Sequence, residues 1–156
     1  MAITAVNPRI VDGTAELKDA PVASTQTWSK GAPVILTAGA LTLCADGDIP
    51  SGLAAEDIAA PTTSSRQKYW AFNVGTRVEM YVASGGSASA ITTANVGIAY
   101  DLQVIGSAAS LVGYLDIGAA SDKCFLVVDV ASHYEPERNA AADSPGKCIV
   151  EITKLQ

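Results

Sequence analysis

The fold is best predicted from Trp28-Ser-Lys-Gly-Ala-Pro-Val-Ile-Leu-Thr-Ala-Gly-Ala-Leu-Thr-Leu-Cys-Ala-Asp-Gly-Asp48. In this stretch, turns alternate with short apolar segments. Gly39 and Gly47 lie at the turns, because glycine adopts positive φ angles without the steric cost of a Cβ atom. The apolar segments between the turns have the length of strands and are too short for helices. This alternation predicts a compact antiparallel β domain.

The rest of the chain repeats this pattern and adds little helix. Apolar and polar residues alternate with the period of two that is typical of strands in residues 34–36, 41–43, 68–74, 77–82, 100–105, 111–115, 124–131 and 147–153. Residues 53–60 are a candidate for one or two helical turns that end before Pro61, and residues 138–142 are another. We therefore predict an all-β fold, a compact antiparallel β-barrel or sandwich.

Alternation also predicts which side chains face the core. In residues 68–74 it places Trp70, Phe72 and Val74 together inside, and leaves Tyr69 outside. The other predicted inner faces are Val78, Met80 and Val82; Cys124, Leu126, Val128 and Val130; and Cys148, Val150 and Ile152.

Residues 1–27 do not share this pattern. Pro8, Gly13 and Pro21 interrupt them, and a proline cannot donate a hydrogen bond within a sheet, so a central strand is disfavoured. The segment is nevertheless rich in apolar residues, unlike a solvated tail. We therefore divide the chain into an extended N-terminal arm or edge strand, residues 1–27, and a β-barrel or sandwich domain, residues 28–156.

Composition excludes some partners. The 156 residues amount to one ordinary domain, and their net charge of −6 comes with only ten scattered basic residues. Nucleic acids and anionic membranes are therefore not expected as partners. The charged fraction of 17% is below the roughly 25% that is typical of soluble domains, which favours an assembled protein over a monomer with small surface residues.

The cysteines and the start of the chain indicate a cytoplasmic product. Cys44, Cys124 and Cys148 form no C-x-x-C pair, and their odd number argues against a disulfide framework, so reduced thiols are expected. The first residues lack the basic and apolar regions of a signal peptide, and no apolar run reaches the roughly 20 residues that span a bilayer.

Candidate catalytic and metal-binding residues are few. His133 is the one histidine, and no G-x-S-x-G motif accompanies it, so a solvated loop histidine is favoured over a general base. Asp46 and Asp48 fit a hairpin turn better than a calcium loop. His133, Glu135 and Glu137 have the alternate spacing of metal ligands, but Pro136 and the long loop 132–146 disfavour this role. We predict no enzyme, no catalytic or metal-binding residue and no cofactor.

Aromatic residues offer a different kind of site. Trp28, Tyr69, Trp70 and Tyr81 are candidates for stacking on a sugar ring, and Tyr69 and Tyr81 are the two expected on outer faces. Burial in the core is the commoner fate of such side chains.

Several turn motifs resemble one protein family. The motifs are Trp28-x-Lys-Gly31-x-Pro-Val34, Gly39-Ala-Leu41 and Gly52-Leu53-Ala54, followed by residues 94–102 and Tyr114-Leu115-Asp116. They are similar to the decoration, or cement, proteins of tailed-bacteriophage capsids. The resemblance covers roughly residues 28–155 and consists of turns and strands rather than a catalytic motif.

This resemblance implies a structural role. It implies a β-barrel or tulip-like domain that forms a homotrimer on the outer surface of the virion, with residues 1–27 as an arm that clamps neighbouring major capsid protein subunits. A β-sandwich module that binds a glycan, as in a viral fibre or receptor-binding protein, is the alternative. An arm with apolar side chains can add a strand to a neighbour's sheet, and a trimer repeats each weak contact.

Overall fold

The computed structural model describes residues 4–23, 25–59, 65–135 and 144–156, and strands dominate them. The strands are β1 Arg9–Asp12, β2 Ala15–Pro21, β3 Thr27–Trp28, β4 Pro33–Thr37, β5 Ala40–Leu43, β6 Gly52–Ala54, β7 Ile58–Ala59, β8 Arg66–Phe72, β9 Arg77–Ser84, β10 Ser87–Ala88, β11 Ala99–Ile105, β12 Val112–Asp116, β13 Phe125–Val130 and β14 Lys147–Ile152. A single α-helical turn, α1 Ala131–Tyr134, and two 3-10 turns, Thr93–Asn95 and Ala108–Ser110, complete the described elements.

Five strands close into a barrel. Their order is β9-β12-β11-β13-β14, and β14 returns to β9, so each of the five pairs with two neighbours. The pairs are antiparallel except β9 with β12, which is parallel. Val78, Met80, Leu115 and Val150 are fully buried inside, because alternate residues of each strand point to the barrel axis.

A second sheet curls around its own core. Its order is β2-β8-β6-β4-β5, and a parallel bridge from Val22 to Leu41 brings its two edge strands together at one end. Trp28, Val34 and Tyr69 fill this core with Leu41 and Val22. The predicted all-β, compact barrel-like fold is therefore confirmed, with two cores where the sequence pattern suggested one.

The N-terminal region packs on the body as two edge strands. β1 pairs with β9, and β2 pairs with β8 over its whole length. The Gly113 N–H donates to Asn7 Oδ1 at 3.1 Å, and the neighbouring Pro8 is buried. The edge-strand interpretation thus describes residues 9–21, while the division of the chain after residue 27 stays a prediction.

Strand β8 faces the opposite way from the prediction. Tyr69 is only 5% exposed, whereas Trp70 is 40% exposed and Val74, in the turn that follows, is 63% exposed. Both faces of this strand are apolar, so alternation alone does not select the inner one. Tyr69 and Ala71 face the second core, and Phe72 reaches the barrel core only because it lies at the strand's end.

In strand β13, the alternation between buried and half-buried residues is interrupted halfway along the strand. Phe125, Val127 and Val130 are buried, and Leu126 and Val128 are half-buried, so the predicted inner face is wrong at Leu126 and Val128. A bulge between Val127 and Asp129 shifts the register against β14, and a bulge reverses the alternation beyond it. The predicted inner faces of β9 and β14 are confirmed.

The helix predicted for residues 53–60 is wrong. Leu53 and Ala54 pair instead with Trp70 and Tyr69 of β8, and the short β7 follows. The helix predicted for residues 138–142 lies outside the described residues. Within the described part of the chain, no helix is both long and apolar enough to cross a bilayer.

Candidate functional site

A groove of about 400 Å³ lies beside the N-terminal strands. Lys30 and Gly31 form one side, and Leu53, Ala54 and Trp70 contribute apolar surface from the second sheet. The other side consists of Pro8, Arg9, Ile10, Gly13 and Ala15. Ligand-binding pockets typically occupy roughly 300–1,000 Å³ and are mostly apolar. The groove therefore has the size and character of a binding site.

The motif that begins at Trp28 builds the turn beside the groove. Trp28 is 1% exposed and Val34 is fully buried, so both ends of the motif are fixed in the second core. Between them, the Gly31 N–H donates to the Ala54 carbonyl at 2.8 Å, and the Lys30 N–H donates to Asp57 Oδ1 at 2.6 Å. Backbone bonds thus hold this turn, while the Lys30 side chain stays exposed.

Gly31 is required where this turn meets the N-terminal segment. Its φ of +86° is a conformation that L side chains rarely adopt. A Cβ atom there would also lie 3.0 Å from the Asn7 Cβ and 3.2 Å from the Pro8 carbonyl oxygen. The glycine therefore lets residues 7 and 8 approach closely and form the side of the groove.

Trp70 is the aromatic residue of the groove. Its strand neighbours in register are Leu17 on β2 and Leu53 on β6, so the three side chains share one face of the sheet. Leu17 is 48% exposed and Leu53 is buried. This face offers a partner an apolar surface that runs from the groove to the edge strand.

Two cations and no carboxylate are among the residues that line the groove. Arg9 Nε donates to Glu79 Oε1 at 2.9 Å, and this hydrogen bond raises the pKa of the guanidinium. The Arg9 side chain is 70% exposed, and among the described residues none accepts from its two terminal nitrogens. Lys30 is the second cation, and its side chain is exposed, so each cation can present N–H donors to a ligand in the groove.

Glu79 anchors a network behind Arg9. Its Oε2 lies 3.8 Å from Lys147 Nζ and accepts from the Tyr134 hydroxyl at 3.5 Å. Lys147 also pairs with Glu135. Burial, with the Glu79 charge next in importance, raises the pKa of the Tyr134 phenol. These contacts hold β1 and α1 against the barrel and fix the side of the groove that carries Arg9.

The outer edge of β2 carries backbone groups that point away from the sheet. The Val22 N–H donates to the Ser65 carbonyl at 2.9 Å, on the side of β8. Because backbone groups of successive residues in a strand point in opposite directions, those of Leu17 and Asp19 point outward. The Asp19 carbonyl accepts from Arg66 Nη2 at 3.3 Å, and among the described strands none pairs with Leu17 on that side.

The structure places the predicted catalytic and metal candidates in separate contacts. His133 lies in α1, with Nδ1 2.7 Å from Asp129 Oδ1, and the Glu135 carboxylate pairs with Lys147. Glu137 lies outside the described residues. Asp48 accepts from the Ala45 N–H at 2.8 Å, which is a turn contact, and Asp46 accepts from the Val104 N–H of β11 at 2.7 Å.

Among the aromatic candidates, Trp70 lies on an outer face, which was the position expected for Tyr69 and Tyr81. Trp28 and Tyr69 are buried, and Tyr81 is half-buried with Lys147 Nζ 6.0 Å from its ring centroid. Sequence reasoning missed the groove because Arg9, Lys30 and Trp70 come from three distant segments. One signal was available, since adjacent residues Tyr69 and Trp70 in a strand must point to opposite faces.

The three cysteines are free and buried in the structure. Burial raises the pKa of Cys124 to about 12 and also raises the pKa values of Cys44 and Cys148. Because the thiolate is the reactive form, these thiols are inert in the folded protein at neutral pH. They contribute to packing, as their sequence context predicts.

Comparison of the chain with protein-family models and with curated proteins found no match.

Proposed function

We propose that the chain is a decoration protein that binds the outer surface of a tailed-phage capsid and clamps neighbouring major capsid protein subunits as a homotrimer. Three residues of the family resemblance support this role, because they serve packing or a turn. Trp28 is a core residue, Gly31 permits the close approach of residues 7 and 8, and Gly52 lies directly against β8.

The outer edge of β2 is the observation that carries the proposal. A strand edge with outward N–H and C=O groups can pair with an extended segment of another chain. Leu17 adds a half-exposed apolar side chain at the same position, next to Trp70. The edge and this apolar pair together provide the backbone bonds and the side-chain contact that strand addition needs.

Assembly on a repeating shell multiplies such a contact. Each β2 edge gives a weak bond, but three linked edges on one trimer bind with high effective concentration. A protein that binds only the assembled shell stabilises it by mass action. The net charge of −6 suits an outer surface better than one against packaged nucleic acid.

Replacement of Leu17 by proline tests the role of the edge. The Leu17 N–H points outward, so Leu17→Pro removes an outward donor without removing a hydrogen bond to β8. We expect co-sedimentation with expanded heads of the encoding phage to fall at least about tenfold, because the added strand loses a bond and the leucine contact.

Native mass spectrometry of the free protein should give three times the 15.9 kDa of one chain.

The matched control is Leu17→Val, which keeps the donor and an apolar branched side chain. This variant should bind heads nearly as well as the parent protein, and both variants should melt within a few degrees of it. Undiminished head binding by a folded Leu17→Pro protein would refute the edge as the binding element. A parent protein that binds neither procapsids nor expanded heads would refute the function.

A glycan-binding module is the second candidate, and the groove at Trp70 favours it. An exposed tryptophan beside polar groups is suited to stack on a sugar ring. A glycan array probed with the parent protein and with Trp70→Ala tests this function. A specific glycan bound by the parent protein and lost in Trp70→Ala would favour it, whereas an array without hits would count against it.

A further inference from the structure

We propose that the groove binds an extended acidic segment of the capsid subunit, with an apolar side chain of that segment packed on Trp70. This inference rests on the proposed function and names the partner surface that the groove recognises.

Arg9 supplies the first anchoring charge. Its Nε is bonded to Glu79, which is largely buried, so the guanidinium is held in place. A guanidinium has five N–H donors, and the described contact uses only the one at Nε. The two terminal nitrogens can therefore bind a second carboxylate from a partner without breaking the bond to Glu79.

Lys30 supplies the second charge from the opposite segment. Its backbone is fixed by the bond to Asp57, while its ammonium makes no ion pair with a described residue. Arg9 is paired with Glu79 through Nε alone, and no ion pair with a described residue involves the Lys30 ammonium, so both side chains keep donors for a ligand. An acidic partner segment can therefore bind here through charge-assisted hydrogen bonds to both side chains.

The surface between these charges is apolar and preformed. Trp70 and Leu53 line the groove, and Gly13 and Gly31 let its segments pack closely on their neighbours, because a Cβ atom at either glycine would approach backbone or Cβ atoms within 3.0 Å. A rigid groove loses little conformational entropy when it is filled. An apolar residue flanked by acidic residues therefore matches a groove that Trp70 and two cations line together.

The groove also continues the binding edge of β2. Leu17 lies on that edge and is the register partner of Trp70, which lines the groove. A capsid segment paired with β2 can therefore place neighbouring residues in the groove. The edge supplies backbone bonds that tolerate many sequences, and the groove adds a preference for acidic ones.

The test uses the blocked tripeptides acetyl-Asp-Phe-Asp-amide and acetyl-Lys-Phe-Lys-amide, titrated into isotope-labelled full-length protein and followed by NMR. We expect the acidic tripeptide to give saturable shifts at the Gly31 amide and the Trp70 indole, with Kd near 1 mM, as befits one short contact. Higher salt should weaken it, because exposed charges are screened. The basic tripeptide should give no saturable shift.

Two variants and one control define the site. Arg9→Ala combined with Lys30→Ala should weaken the acidic tripeptide at least about tenfold. Lys30→Glu should abolish its binding and gain affinity for the basic one. Lys123→Ala combined with Lys154→Ala removes two positive charges outside the groove and should leave binding unchanged, with thermal unfolding confirming that all variants fold.

The outcomes separate this inference from the proposed function. Head binding that is intact in the Arg9→Ala/Lys30→Ala protein, or equal binding of the two tripeptides, would overturn the inference and leave the decoration role standing. Tripeptide binding by a protein that does not bind heads would overturn the capsid as the source of the segment. Loss of head binding and of tripeptide binding in the same variant would support both.

Discussion

Gly52 lies against the backbone of the neighbouring strand β8. A Cβ atom there would lie 2.0 Å from the Trp70 carbonyl oxygen, which is far inside van der Waals contact. The clash is with backbone, so no side-chain rotation relieves it. Strands β6 and β8 can pair at this point only because the residue is glycine.

We therefore predict that Gly52→Ala lowers the free energy of unfolding by about 3 kcal/mol or more, since overpacking against a fixed backbone forces strands apart. Gly47→Ala is the control: its Cβ would contact nothing within 4 Å, and only its φ of +79° is unfavourable. That strain costs roughly 1–2 kcal/mol. Equal urea midpoints for the two variants would contradict this reading of Gly52.

Asp101 organises a loop from inside the protein. It is 3% exposed, and its carboxylate accepts three backbone hydrogen bonds at 2.8–2.9 Å, from Ser121, Asp122 and Lys123. Lys123 takes a φ of +56° in the same turn. The carboxylate therefore satisfies donors that the turn itself cannot pair.

Replacement of Asp101 by asparagine should lower the free energy of unfolding by about 2 kcal/mol or more, because bonds to a charged acceptor are worth roughly 1.5–3 kcal/mol each. Hydrogen exchange at residues 121–123 should accelerate. Asp122→Asn, at a half-buried neighbour whose carboxylate lies 3.9 Å from Lys154 Nζ, should change neither quantity by much. Unchanged exchange in Asp101→Asn would show that the turn holds without the carboxylate.

Among the secondary-structure elements, the sequence predicted where strands occur better than it predicted which side of each strand points to the core. β9 and β14 alternate cleanly between apolar and polar residues, so their inner faces were predictable. β8 has apolar residues on both faces, and β13 contains a bulge that depends on its partner strand, so neither orientation was encoded locally. β6 was mistaken for a helix because a three-residue strand shows no period.

The candidate site was less predictable than the fold. The turn at Lys30 and Gly31 could be read from the sequence, but the groove also needs Arg9 and Trp70 from β1 and β8. Their proximity depends on the two sheets meeting, and no local pattern reports that. Sequence reasoning accordingly placed the binding function in the N-terminal segment as a whole and not in a defined groove.

For the whole molecule, the buried thiols predict a loss of stability in alkaline solution. Burial raises the pKa of Cys124 to about 12 and raises those of Cys44 and Cys148 in the same direction, above the roughly 8.5 of an unfolded chain. The unfolded chain therefore releases protons first as the pH rises. Stability is retained below about pH 8.5 and declines above it, by up to roughly 1.4 kcal/mol per pH unit for each thiol.

Urea unfolding at about pH 7 and about pH 10 measures this decline. Cys124→Ala is the informative variant: it should be less stable at neutral pH, because it leaves a cavity, yet lose less stability on the way to alkaline pH. Iodoacetamide should modify the parent protein only after unfolding. An identical pH dependence in the parent and Cys124→Ala would exclude the thiol as a source of the effect.

The barrel can close only late in the synthesis of the chain. β9 bonds to β1, from the first part of the chain, and to β14, from the last. A nascent polypeptide cannot seal this ring until β14 has left the ribosome, and distant strand pairs of this kind form slowly. Until then, the unpaired edge of β9 can pair with the sheet of another growing chain, and the charge of the exposed Arg77 disfavours that pairing.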